Sequence, residues 1–194
     1  MILRLTKVWM VWYDRNVPKV ILYPTETVYG LGVNPLDERA WRLMCDIKGR
    51  PDTKPASWLV KGVSEIHKFA VVPEYAKELI DKYLPGPVTF ILKAKDTVPE
   101  YAQAKDGTVS FRVSSDVIAQ ELINGLDHPL TCTSANLAGA SPLPTPEEIL
   151  RQLGQEAALI TDVYDDGSRD GLPSTIVRCV DAEPEILRQG SIEL

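Results

Sequence analysis

Apolar and polar positions alternate between two periods along this 194-residue chain. Over residues 36–47, Leu36, Ala40, Leu43, Met44 and Ile47 recur at three- and four-residue steps, which places them on one face of a helix. Helices are also predicted over 74–84, 116–124 and 145–153. The last is the best marked, because Thr145-Pro146-Glu147-Glu148 joins an N-cap, a proline at the first helical position and a capping-box glutamate. Short β-branched and aromatic runs predict strands at 20–23, 57–60, 88–93, 108–113, 130–133, 158–161, 175–180 and 185–188. Over 108–113 the alternation puts Thr108, Ser110 and Arg112 on one strand face. Strands interleaved with helices define the α/β class, a sheet with helices packed on it.

Length and composition sharpen this picture. A chain of 194 residues suits a single domain over 1–194, and 44% hydrophobic with 25% charged residues describes an ordinary globular protein. Residues 1–13 are apolar, but Arg4, Lys7, Asp14 and Arg15 interrupt the run, so it reads as a first helix or strand and not as a membrane anchor. Cys45, Cys132 and Cys179 are an odd number, widely spaced in apolar segments, which fits reduced thiols of a cytoplasmic protein. No Cys-x-x-Cys or paired histidine offers a metal site.

A net charge of −6 argues against non-specific binding of long nucleic acids, which needs clustered cations. The cations are nevertheless uneven: Lys48, Arg50, Lys54 and Lys61 share one short window, opposed only by Asp52. A local basic pocket in an acidic protein suits a small anionic ligand. The two common phosphate-binding signatures, Gly-x-x-x-x-Gly-Lys-Ser/Thr and Gly-x-Gly-x-x-Gly, are missing, so a nucleotide would be held some other way.

Lys48-Gly49-Arg50 follows a predicted helix; it fits a glycine C-cap with cations against the helix dipole, or a mobile point charge and a rigid fork that grip a triphosphate. Lys54 is a third cation for the same task or a solvated surface lysine. Ser134-Ala135-Asn136 follows a predicted strand and reads as a turn, or as a hydroxyl and an amide at the carboxyl end of a sheet strand, where open α/β sheets bind ligands. Arg112 lies on a solvated strand face or faces a carboxylate in bidentate fashion. His67 and His128 sit in ordinary contexts, which disfavours a serine nucleophile. The acidic loop around Gly167 and Gly171 lacks calcium-loop spacing and reads as a lid or an exposed turn.

In combination, Pro24-Thr25-Glu26-Thr27-Val28-Tyr29-Gly30, Lys48-Gly49-Arg50-Pro51, Pro85-Gly86-Pro87-Val88-Thr89, 108–112, 133–136 and Leu187-Arg188-Gln189-Gly190 resemble, in order, the YrdC family of threonylcarbamoyl-adenylate synthases. The resemblance implies a twisted, mixed, open sheet flanked by helices around a positively charged central cavity. There ATP, L-threonine and bicarbonate would give threonylcarbamoyl-AMP and pyrophosphate, with Mg²⁺ accompanying ATP and a tRNA threonylcarbamoyl transferase complex consuming the product. By motif position it implies ATP contacts from Arg50, Lys54, Thr108, Ser134 and Arg188, with Lys48 and Asn136 completing the two signatures, and threonine contacts from Thr27, Arg112 and Ser174. Lys48 and Arg50 are the candidates for neutralising charge in the reaction, with Lys48 read as a loop residue of little packing value. Two departures stand out: Leu59 occupies a position where the family often has histidine, and Pro173-Ser174-Thr175 replaces Glu-Ser-Thr. A divergent relative that binds ATP or RNA without making the adenylate is the alternative reading. Direct contact with tRNA is left open, and no membrane association is expected.

Overall fold

The computed structural model describes residues 18–194, so the expectation for 1–13 lies outside the described residues. Eleven short strands and five α-helices appear among them. In chain order these are β1 (Ile21–Tyr23), β2 (Gly30–Gly32), α1 (Glu38–Lys48), β3 (Trp58–Leu59), α2 (Val63–Phe69), β4 (Ala70–Val71), α3 (Glu74–Tyr83) and β5 (Val88–Ala94). There follow β6 (Thr108–Arg112), α4 (Val117–Asn124), β7 (Leu130–Thr131), β8 (Thr133–Ser134), α5 (Pro146–Leu153), β9 (Asp162–Val163), β10 (Thr175–Arg178) and β11 (Glu185–Arg188).

The strands divide between two mixed, open sheets. The smaller has the order β8-β2-β1-β9, and the larger the order β11-β10-β5-β6-β3-β7, with β4 paired to β5. In the larger sheet β5 and β6 run antiparallel with Phe90 opposite Phe111, while β10 lies parallel to β5 with Ile176 opposite Thr89. Trp58, Phe69 and Phe111 fill its core, with the Trp58 and Phe69 ring centroids 5.2 Å apart in an edge-on contact.

The predicted strand over 130–133 is broken at Cys132: β7 joins the larger sheet and β8 the smaller. Thr131 causes the change of sheet, because its hydroxyl donates to Leu31 O at 2.9 Å and accepts from Val33 N–H at 3.0 Å, tying the end of β7 to the chain of β2. The Ser134-Ala135-Asn136 turn is thereby held in the space between the sheets.

Helix α1 begins two residues later than the periodicity suggests. Asp37 caps it by accepting from Arg39 N–H, and Leu36 stays outside and exposed. It ends on Gly49 at φ 57°, whose N–H reaches Asp46 O at 2.9 Å, a left-handed cap that glycine adopts without strain. Helix α5 starts as expected, with Thr145 Oγ1 accepting from Glu148 N–H. The strand expected at 158–161 does not form. Gly154, at φ 61°, turns the chain out of α5 into a 3₁₀ segment, Gly154–Leu159, and pairing with β1 begins only at Asp162.

Candidate active site

Between the sheets lies a cavity of about 450 Å³. Its wall is assembled from segments far apart in the chain: Thr27 and Val28 ahead of β2, Lys48 at the end of α1, Arg50 and Lys54 to Ser57 after it, Thr89 on β5, Arg112 on β6, the 132–142 segment, Pro173, Ser174 and Ile176, and Arg188 on β11. Among the lining residues are Lys48, Arg50, Lys54, Arg112 and Arg188, and no aspartate or glutamate.

Lys48 departs most from expectation. It is the last residue of α1 and only 4% exposed, so it is a packed helical residue and not a loose loop cation. Its Nζ donates to Asn136 O at 2.7 Å and to Ser134 O, linking the two signature motifs directly. Burial, with the charges of Arg50 and Lys54 nearby, brings its pKa down from 10.5 to about 7. The adjoining segment is fixed by Trp41, whose indole N–H donates to Asp52 O at 3.1 Å. The Arg50 guanidinium stands 5.9 Å over the same indole ring, and its buried Nε has no protein partner. Asn136 is held by its amide, which donates to Leu137 O and Ala140 O at 2.8 Å each.

A second group of side chains forms around Arg112, which is 5% exposed. One guanidinium nitrogen lies 3.1 Å from Glu26 and donates to Thr27 Oγ1 at 2.9 Å, and the Arg112 Nε is buried without a partner. Burial alone would raise the Glu26 carboxyl, but the Arg112 charge and the Ser114 hydroxyl together hold it below its ordinary value. Ser174 shares a 2.9 Å hydrogen bond with Thr89, while Arg188 donates to Ser174 O from Nε at 3.0 Å and from a terminal nitrogen at 2.7 Å.

Nine of the ten residues singled out in the sequence therefore line one cavity: Thr27, Lys48, Arg50, Lys54, Arg112, Ser134, Asn136, Ser174 and Arg188. Thr108 does not. It pairs with Lys93, at the opposite end of β6 from Arg112, and its hydroxyl donates to Asp106 at 2.7 Å. A strand of five residues is long enough to carry its two ends to different surroundings. Leu59 also stays away from the cavity, packed with Ile21, Tyr23, Ala119, Ile123 and Leu130. The loop around Gly167 to Gly171 is tied down: Gly167 O accepts from Tyr29 at 2.7 Å, Gly171 N–H donates to Thr27 O at 3.0 Å, and Arg169 pairs with Asp116 and Asp166. The individual readings missed Glu26, Ser57, Thr89 and Thr133. Glu26 and Thr89 carry a legible signal, since both lie inside motifs and Thr89 is a polar residue within an apolar strand.

The fold and site define a mixed α/β protein with a cation-lined cleft between two sheets. The chain belongs to the Sua5/YciO/YrdC family, whose profile, described as Telomere recombination, matches residues 17–190. It is 36% identical over 176 residues to a protein of Methanocaldococcus jannaschii named putative threonylcarbamoyl-AMP synthase, covering 91% of this chain and 82% of that one. Among solved structures, Pyrococcus abyssi Sua5 complexed with L-threonine superposes with a TM-score of 0.82 at 32% identity, over 89% of this chain and 50% of Sua5. Escherichia coli YciO superposes with a TM-score of 0.79 at 30% identity, over 91% of this chain and 85% of YciO. The chain thus spans half the length of Sua5 and most of YciO.

Proposed function

We propose that this protein condenses ATP, L-threonine and bicarbonate into threonylcarbamoyl-AMP and pyrophosphate. The observation that carries the reading is the convergence, in one cavity, of the Lys48/Arg50 and Ser134/Asn136 motifs with the Thr27, Arg112 and Ser174 group. The names of the relatives at about one-third identity support the same activity.

The side chains divide by chemistry. Arg50 and Lys54 suit a polyphosphate, with Lys48 and the Ser134-Ala135-Asn136 turn behind it. Arg112, with an unpaired buried Nε and a fork fixed by Glu26, suits the amino acid carboxylate, and the hydroxyls of Thr27 and Ser174 suit its small polar end. A complex of a relative with L-threonine supports an amino acid as one of the ligands. Leu59 packs outside the cavity, so the histidine-to-leucine change does not itself alter the cavity wall.

The lining offers basic, hydroxyl and amide groups, so magnesium is assigned to the nucleotide as the Mg–ATP substrate. Catalysis rests on holding the carbamate oxygen in line with the α-phosphorus while cations offset the charge of departing pyrophosphate. The product is a reactive mixed anhydride, to be consumed by a transferase acting on tRNA, and the cytoplasm is the natural compartment for both steps. Incubation with Mg–ATP and bicarbonate, with and without L-threonine, followed by pyrophosphate assay and mass spectrometry, tests this. Threonine-dependent pyrophosphate with the adenylate mass is expected; ATP binding without that product would overturn it.

A further inference from the structure

The fourth tetrahedral position on Lys48 Nζ is a chemical resource in the cavity that the reading above leaves unused. One position holds Cε, and two N–H groups donate to Ser134 O and Asn136 O. The fourth is a third N–H when the amine is protonated and a lone pair when it is neutral. Among the described residues Nζ has no third acceptor. Facing it are Arg50 and Lys54 on the segment after α1 and Cys45 one turn back in the helix, while the Ser134-Ala135-Asn136 turn contributes no titratable group. Both cations oppose another positive charge, the cavity wall adds no carboxylate, and the pKa of about 7 agrees with an amine that is substantially neutral at physiological pH.

We infer that Lys48 is the general base of carbamate formation, its Nζ accepting the proton released when the substrate's amino group combines with bicarbonate. The inference rests on the function proposed above. An ammonium R–NH₃⁺ and HCO₃⁻ give R–NH–COO⁻, H₂O and one net H⁺. One proton passes from the ammonium to Lys48 Nζ, the nitrogen lone pair so freed forms the N–C bond, and a C–O bond of bicarbonate breaks. Of the two N–H protons lost, one leaves with the departing hydroxyl as water and the other passes to Lys48, converting –NH₂ to –NH₃⁺. The carbamate oxygen then forms the bond to the α-phosphorus as the bond to pyrophosphate breaks, with no further proton transfer. A triphosphate beside Nζ would hold a proton there, so amino acid and bicarbonate enter before ATP.

Chemical rescue tests the role. Lys48→Ala is expected to slow adenylate formation by roughly 10²–10⁴-fold, and methylamine to restore it in proportion to its neutral form. Restoration by guanidinium to the same degree would show that only charge is needed and overturn the proposal, as would failure of methylamine in a variant that circular dichroism shows to be folded. Lys48→Met provides an independent arm, assayed in reverse with synthetic threonylcarbamoyl-AMP and pyrophosphate. ATP formation should fall far less there than adenylate formation does, because that direction abstracts no amine proton; equal loss in both directions would make Lys48 a phosphate ligand and overturn its role as base. Should both variants unfold, initial-velocity patterns of the unaltered protein decide, since obligatory binding of ATP first would overturn the proposal and ATP last would support it. An unaltered protein that makes no adenylate refutes the proposed function itself, and the base with it.

Discussion

At the scale of single residues, Arg112 and Glu26 depend on each other. Arg112 is buried and Glu26 largely so, and a buried charge that loses its partner is far more costly than a pair replaced together. Arg112→Met should therefore lose about 3–5 kcal/mol in urea unfolding, and adding Glu26→Gln should return part of that loss. A double variant no more stable than the single would show that the pair is not coupled. Glu26 also sets a pH dependence. Its folded-state pKa lies below the ordinary 4.5, so its contribution is present above 4.5 and lost as pH falls through the folded value. Unfolding free energies should drop more steeply below pH 4.5 in the unaltered protein than in Glu26→Gln. The sequence named Arg112 as a carboxylate candidate but gave Glu26 no role of its own, because the two residues are distant in the chain and meet only through the tertiary fold.

Secondary-structure elements explain the glycines of the β1–β2 hairpin. A Cβ on Gly32 would lie 2.8 Å from the Tyr23 ring, and one on Gly30 would lie 2.9 Å from it. That ring is locked between the sheets by a hydroxyl donating to Thr131 O at 2.9 Å. Gly32→Ala should thus cost about 1–3 kcal/mol through overpacking, read as a lower urea midpoint with unchanged slope. An unchanged midpoint would mean the ring can move freely. In α5, Thr145→Ala should remove about 1 kcal/mol by taking the helix cap away, with little effect on the cavity. Caps and helix periods were readable in advance because they are local. The short strands at 30–32 and 162–163 were not, since two glycines and an aspartate carry little strand signal until β1 supplies their partner.

For the whole molecule, five lysine and arginine residues line one cavity of a chain whose total charge is −6. Burying Lys48 beside Arg50 makes stability depend on pH. Lys48 has a folded-state pKa of about 7 against an ordinary 10.5, so between those values the unfolded chain binds more protons than the folded one, and stability rises with pH. Relative to Lys48→Met, the unaltered protein should gain stability from pH 7 to 9, by at most about 1.4 kcal/mol per pH unit. Parallel curves for the two proteins would mean that the buried amine titrates normally.

The sequence by itself determined the α/β class, the main helix caps and most of the chemistry, because these are written in local spacing and in the ordered motifs from Pro24 to Gly190. Tertiary structure alone decided which motif residues share a cavity. It divided the strands between two sheets at Cys132, turned Lys48 from a presumed loop cation into a buried amine on two carbonyls, and left Thr108 at the far end of β6. The physical reason is that burial and desolvation arise only when distant segments exclude water together, and spacing along one chain records no such contact.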